Sequence, residues 1–196
     1  MKGHLHQLFP SPMMIVDDIL PNNENDKVLK HINELSKTVK SGGKEWLSEV
    51  YNTHLTHNCC KDNKFSYIHE RVKKFANIFA ELYGSKIDYE CVESWFNKYK
   101  VGDFQEAHLH SYSHFSAVYF VRSDKGASPL KLLSPYRYSP TNEFSITEVN
   151  PMNHGYYDIE PINNRLVIFL SNMWHSVPVN KASTRVTLSF NFTEKR

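Results

Sequence analysis

The sequence lacks any apolar run approaching the roughly 20 residues a membrane-spanning helix needs. Its first ten residues also lack the apolar core of a secretory signal. No membrane partner is therefore expected, and a cytoplasmic location is. Cysteine is scarce: Cys59, Cys60 and Cys91 are the only three. Adjacent Cys59 and Cys60 are poorly placed to bridge each other, and no framework of spacings appears. All three read as free thiols in a reducing compartment. Charge of one sign is lacking too. Lys and Arg number 23 against 21 Asp and Glu, a formal net charge of +2. That balance gives no reason to expect nucleic acid or an anionic membrane surface as partner. There is no G-x-G-x-x-G and no phosphate loop, so a nucleotide-binding fold is unsupported. Internal repeats and low-complexity tracts are also missing.

What is present describes an ordinary globular protein. Hydrophobic residues make up 40% and charged residues 22% of 196 residues, which suits one domain with a sizeable core. Eleven tyrosines and twelve phenylalanines favour strands. Residues 13–16 form a short apolar run that reads as an entry strand. A helix is expected to start at Pro21-Asn22-Asn23, with Val28, Ile32 and Leu35 as its stripe, and to end at Ser41-Gly42-Gly43. A second helix is expected over 65–82, where Phe65, Ile68, Val72, Phe75, Phe79 and Leu82 recur with a 3.6-residue period. Gly84 follows as its stop. From residue 87 the pattern changes. Short strands are expected at 87–99, 104–108, 115–122, 130–133, 155–159, 166–170, 176–179 and 186–192, with Gly, Pro, Asn and Ser between them. The expected class is mainly β (α+β): a sandwich or barrel with N-terminal helices packed on one sheet. Residues 1–86 serve as a helical support region and 87–192 as the β core of a single domain.

Chemistry concentrates in three places. His108 and His110 lie two apart at the end of an alternating segment, where residues i and i+2 of a strand share a face. They can aim two imidazoles at one point, as a transition metal requires, and Glu106 lies one step earlier on that face. Alone, the pair reads first as a polar strand face with scattered histidines. Further on, an apolar strand ends in a turn that delivers His175. Ten residues later a strand opens with Arg185, whose planar fork suits a carboxylate. Residues 44–63 hold His54, His57, Cys59 and Cys60. By composition these are half a zinc site, but no second cluster follows, and a loop bordering a pocket is the better reading.

In this order and spacing, residues 87–192 resemble the 2-oxoglutarate- and Fe(II)-dependent dioxygenases, in particular a small phage and bacterial branch related to prolyl hydroxylases. Asn97-Lys98-Tyr99, Gly102 and His108 are similar to the lead-in strand of that superfamily. Residues 116–121, with Tyr119, are similar to the strand that follows. The resemblance implies a double-stranded β-helix of eight strands, a jelly roll. It implies Fe(II), with 2-oxoglutarate and O2 as co-substrates and with succinate and CO2 released as a C–H bond is hydroxylated. His108, His110 and His175 would be metal ligands and catalytic. Arg185, Tyr119, Thr187, Asn97 and Tyr99 would hold 2-oxoglutarate. If the chain is phage-encoded, the host cytoplasm is its expected location.

The family's usual triad has a carboxylate where His110 stands. A three-histidine site, an anion supplied by Glu106, or a weaker site with His110 outside it are all open. So is a cupin-type metalloprotein using His108, His110, His114 and His175 without Arg185 or 2-oxoglutarate, and so is a non-enzymatic jelly-roll binding module. The loop over 134–154 reads as a substrate lid, with Tyr136, Arg137 and Tyr138 as substrate contacts. The substrate is a protein side chain such as proline or a small molecule, and nucleic acid is not expected. A homodimer is left open.

Overall fold

A computed structural model describes residues 10–43, 46–135, 145, 147–148, 150 and 153–195. Strand β1 (Met13–Val16), helix α1 (Asn22–Leu35), strand β2 (Tyr51–Asn52) and helix α2 (Ser66–Glu81) come first. Eight further strands follow: β3 (Tyr89–Tyr99), β4 (Gln105–His108), β5 (Phe115–Ser123), β6 (Leu130–Leu133), β7 (Tyr156–Ile159), β8 (Arg165–Leu170), β9 (His175–Val177) and β10 (Arg185–Glu194). They form a six-stranded sheet in the order β1-β8-β5-β10-β3-β2 and a four-stranded sheet in the order β4-β9-β6-β7. Every paired strand is antiparallel. This is the double-stranded β-helix.

The larger sheet is covered on both faces, and β10 shows how. Its even positions, Val186, Leu188, Phe190 and Phe192, pack with Ile68, Val72 and Phe79 of α2 and Ile32 of α1. Its odd positions, Arg185, Thr187, Ser189 and Asn191, are also buried but point the other way, toward the smaller sheet. One face of the strand is thus core. The other is a buried polar stripe, which a fold maintains only where the polar groups have partners or a ligand. Between the sheets a smaller apolar cluster, with Val118, Phe120 and Phe169 against Leu130, Leu132 and Ile159, closes the other end.

Three expectations need correction here. Helix α1 ends at Leu35 and not near Ser41, because the apolar stripe stops there. The Ser36 and Thr38 hydroxyls then bond back to the Asn33 and Leu35 carbonyls, local competition that disfavours helix. Leu82 is 64% exposed and lies beyond the buried stripe of α2. The thiols are not all free either, since Cys60 is joined to Cys91. Spacing could not reveal this, because β3 carries Cys91 back beside the turn at Cys59–Lys61. Cys59 alone is free, and burial pushes its thiol up to about 12. Among the described residues no helix is long and apolar enough to cross a membrane.

Candidate metal and co-substrate site

The site is built on the paired strands β3 and β10. Their register sets Arg185 opposite Tyr99, Thr187 opposite Asn97, Ser189 opposite Trp95 and Asn191 opposite Glu93. All eight share the face turned toward the smaller sheet. Across the gap, β4 and β9 bring His108 directly opposite His175. His110 follows just beyond β4, its backbone N–H held 2.8 Å from the Ser171 carbonyl. The ligand nitrogens of His108, His110 and His175 all lie within 4.8 Å of one another, close enough to share one metal ion.

The three rings are also oriented for it. His108 Nδ1 lies 2.8 Å from the Glu106 carbonyl, and His175 Nδ1 lies 2.9 Å from that of Met173. A carbonyl only accepts, so each Nδ1 carries the proton and each Nε2 keeps its lone pair. His110 reaches the same tautomer by a longer route. Its Nδ1 is 2.6 Å from Asn191 Oδ1, and Asn191 Nδ2 donates to Glu93 Oε2 at 3.0 Å. The carboxylate can only accept, which turns the amide NH2 toward Glu93 and its oxygen toward His110. The other Glu93 oxygen lies 3.1 Å from His54 Nε2. Burial pushes the His110 imidazole down to about 4 and depresses His108 and His175 as well. Three neutral imidazoles with free lone pairs are what a borderline divalent cation binds.

The relay behind His110 has a measurable consequence. Partners that orient a ligating histidine typically account for 10- to 100-fold in metal affinity. Asn191→Ala is expected to weaken metal binding by about that factor in a chelator competition. An unchanged affinity would show that Ser116, also 2.9 Å from His110 Nδ1, orients the ring alone.

Two cavities meet at the histidines. The inner one is narrow, and Asn97, Tyr99, Arg185 and Thr187 line it together with all three rings. Arg185 is 1% exposed. Its Nε donates to the Ser128 carbonyl at 2.9 Å, and its guanidinium lies over the Tyr99 ring, 4.6 Å from the centroid. Among the described residues no carboxylate pairs with it. Burying an unpaired guanidinium is costly, and desolvation lowers its pKa from the ordinary arginine value. Asn97 donates to Thr187 and Ser189, yet its Oδ1 is buried with no partner. A buried cation without an anion among the described residues suits a dicarboxylate whose other end reaches the histidines. The outer cavity, about 380 Å³, opens from His108 and His110 toward Trp46, His54, Glu106 and Tyr112.

Four of the five residues expected to hold 2-oxoglutarate therefore come together in one cavity. Tyr119 does not. It pairs with Leu188, not Thr187, so it faces the helices, where its hydroxyl lies 2.8 Å from both Asn25 Oδ1 and Asn164 Oδ1, with one proton to share between them. Glu106 does not join the cluster either. Between the Gln105–Val177 and His108–His175 pairs, β4 has one residue more than β9. This bulge breaks the i, i+2 parity, and Glu106 Oε1 instead takes the Leu47 N–H at 3.3 Å. His114 lies past the turn, exposed, its ring against Tyr89, so the four-histidine cupin site is not assembled. The half-zinc set is also dispersed, with His57 on Asp62 at 3.2 Å and His54 on Glu93. As expected, that loop borders a pocket. Tyr136, Arg137 and Tyr138 lie outside the described residues. Sequence reasoning missed Glu93, Asn191 and Trp95. The period-2 polar run from Arg185 to Asn191 was the available signal for Asn191.

A family model described as "Putative 2OG-Fe(II) oxygenase" matches residues 93–191. Among solved structures the chain is similar to a Pseudomonas putida prolyl-4-hydroxylase, at 15% identity and a TM-score of 0.65, covering 95% of this chain and 94% of that one. It is similar to the non-heme alpha-ketoglutarate-dependent epimerase SnoN from nogalamycin biosynthesis, at 10% identity and a TM-score of 0.69, covering 94% and 77%. A third likeness is to the viral collagen prolyl hydroxylase of Paramecium bursaria Chlorella virus-1, at 13% identity and a TM-score of 0.55, covering 92% and 94%. At such identities these likenesses speak for the fold. A comparison with curated protein sequences gives no match. The family match runs through β3, the three histidines and β10 as far as Asn191, more than half of the chain, and the protein belongs to the 2OG-Fe(II) oxygenases, a family of enzymes.

Proposed function

We propose that the protein hydroxylates a C–H bond of a substrate held in the outer cavity. One O2 is consumed, 2-oxoglutarate becomes succinate and CO2, and one oxygen atom enters each of succinate and the hydroxylated product. His108, His110 and His175 hold Fe(II) through Nε2, and the iron supplies the reaction with dioxygen. Arg185, with Tyr99, Asn97 and Thr187, holds the distal carboxylate of 2-oxoglutarate. The chain's own part is to fix both partners and to keep water out of the narrow inner cavity. A protein side chain, as in the prolyl hydroxylases the fold resembles, or a small molecule is the substrate. The cytoplasm is its setting, that of a host if the chain is phage-encoded.

The observation that carries this reading is the buried Arg185, without a carboxylate partner among the described residues, in the cavity that the three histidines line. The test is an anaerobic titration of the Fe(II)-loaded protein with 2-oxoglutarate, followed by visible absorbance and calorimetry. Chelation through the keto acid end is expected to give a weak charge-transfer band that saturates at one equivalent. A protein that holds iron but gives neither band nor heat does not use this co-substrate.

A further inference from the structure

The outer cavity has a chemistry of its own. Trp46 and Trp95 supply its aromatic walls, and its two charged residues are Glu93 and Glu106. No lysine or arginine lines it among the described residues. Glu93 is fully engaged, since one oxygen meets His54 and the other receives Asn191. Glu106 is not. Its Oε1 takes the Leu47 N–H, but its Oε2 is closed off from solvent with no donor in reach among the described residues. Among the described residues, Gln105, 5% exposed, leaves its Oε1 without a donor, and Trp95, also 5% exposed, has its indole N–H buried without a partner. The chamber thus offers one half-used carboxylate, a spare amide and aromatic walls, all beside His108 and His110.

That set selects by elimination. An anionic substrate would meet Glu106 without a compensating cation. A neutral hydroxyl or amide could satisfy one hydrogen bond but would leave the half-buried carboxylate without a cation. An ammonium or guanidinium brings only donors, three or five of them. It cancels the charge and is attracted to the face of a tryptophan.

We infer that the outer cavity receives a substrate bearing an ammonium or guanidinium group on an aliphatic chain, with the cation on the half-buried Glu106 carboxylate between the tryptophans and the chain's C–H bonds toward the three histidines. The inference rests on the dioxygenase reading and narrows its substrate to a basic one. Such a group can come from a free amine or amino acid, or from a lysine or arginine side chain in a peptide.

The test uses the protein loaded with redox-silent Zn(II) and saturated with 2-oxoglutarate, whose binding is verified first. Failure at that first step counts against the dioxygenase reading itself and is seen before any probe is added. Four pairs of probes are then titrated by tryptophan fluorescence and calorimetry. They are free n-butylamine against n-butanol, free n-butylguanidine against n-butylurea, and lysine against norleucine and arginine against citrulline as the central residue of a blocked glycyl tripeptide. At least one cationic probe is expected to bind about ten- to a hundredfold more tightly than its neutral partner, the range of a charge-assisted hydrogen bond. The free or the blocked form identifies the source. Glu106→Gln, close in shape, is expected to abolish the preference while Zn(II) and 2-oxoglutarate affinities stay within about twofold. Equal binding of cationic and neutral probes, or no binding by any of them, overturns the inference. So does a Glu106→Gln variant that loses Zn(II), which would make Glu106 a metal ligand.

Discussion

Replacing His175 by alanine is expected to strip the protein of its metal. His175 is 4% exposed and stands directly across the strand pair from His108, with its Nδ1 committed to the Met173 carbonyl. Among the described residues no other metal-ligating group joins the three histidines to take over its Nε2. The only group of metal-ligating side chains among the described residues is His108, His110 and His175. Two imidazoles bind far more weakly than three, and even partners one bond removed from a metal are worth 10- to 100-fold. The loss should therefore exceed about 100-fold in Fe(II) or Co(II) affinity, read by chelator competition, and His108→Ala should match it. His110→Ala decides between the readings that the sequence left open. A loss as large as that of His175→Ala makes His110 the third ligand. A loss of only 10- to 100-fold places it behind the metal as an orienting group. A His175→Ala protein with full metal content would remove His175 from the centre. Far-UV circular dichroism separates any of these losses from unfolding, since the imidazoles lie outside the helix-facing core.

The parts of this site that were legible in the sequence are those where one physical rule acts alone. His108 and His110 are adjacent in space because they are adjacent in the chain. Arg185 and Thr187 share a face because β10 is regular there and alternates apolar with polar residues. Tyr119 was misplaced because β5 is buried on both faces: Phe115 to Val121 are all buried, and the small Ser116, whose hydroxyl meets the His110 ring, is the one polar mark of the inward parity, opposite to that of Tyr119. Register with β10 decides it, and register is a tertiary fact. Glu106 was misplaced for a different reason. Strict alternation put it beside His108, and a single extra residue in β4 moved it off that face. The Cys60–Cys91 pair and the Glu93–Asn191–His110 relay, linking residues 31 and 98 positions apart, are products of strand pairing that no local pattern announces.

Arg185 supplies the second large effect, and its sign on stability is the more telling half. If the guanidinium grips the distal carboxylate of 2-oxoglutarate, Arg185→Met should weaken co-substrate binding severely. Truncating one partner of a buried, hydrogen-bonded charge pair typically costs about 2–5 kcal/mol, or roughly 30-fold to several thousandfold in Kd. Metal affinity should not change, since the three histidines are held by their own partners. Arg185→Lys should not restore binding, because a lysine cannot keep both the planar stack on Tyr99 and the bond to Ser128 while it reaches a carboxylate. Without the co-substrate, Arg185 is a buried cation with no anion among the described residues, a net cost to the fold. Methionine of similar length removes that cost. The metal-loaded variant is therefore expected to melt no lower than the parent when 2-oxoglutarate is absent, and to lose the rise in Tm that 2-oxoglutarate gives the parent. A merely structural arginine predicts the reverse, a lower Tm with the 2-oxoglutarate increment intact. The two roles thus differ in the direction of two independent readings taken on one protein sample.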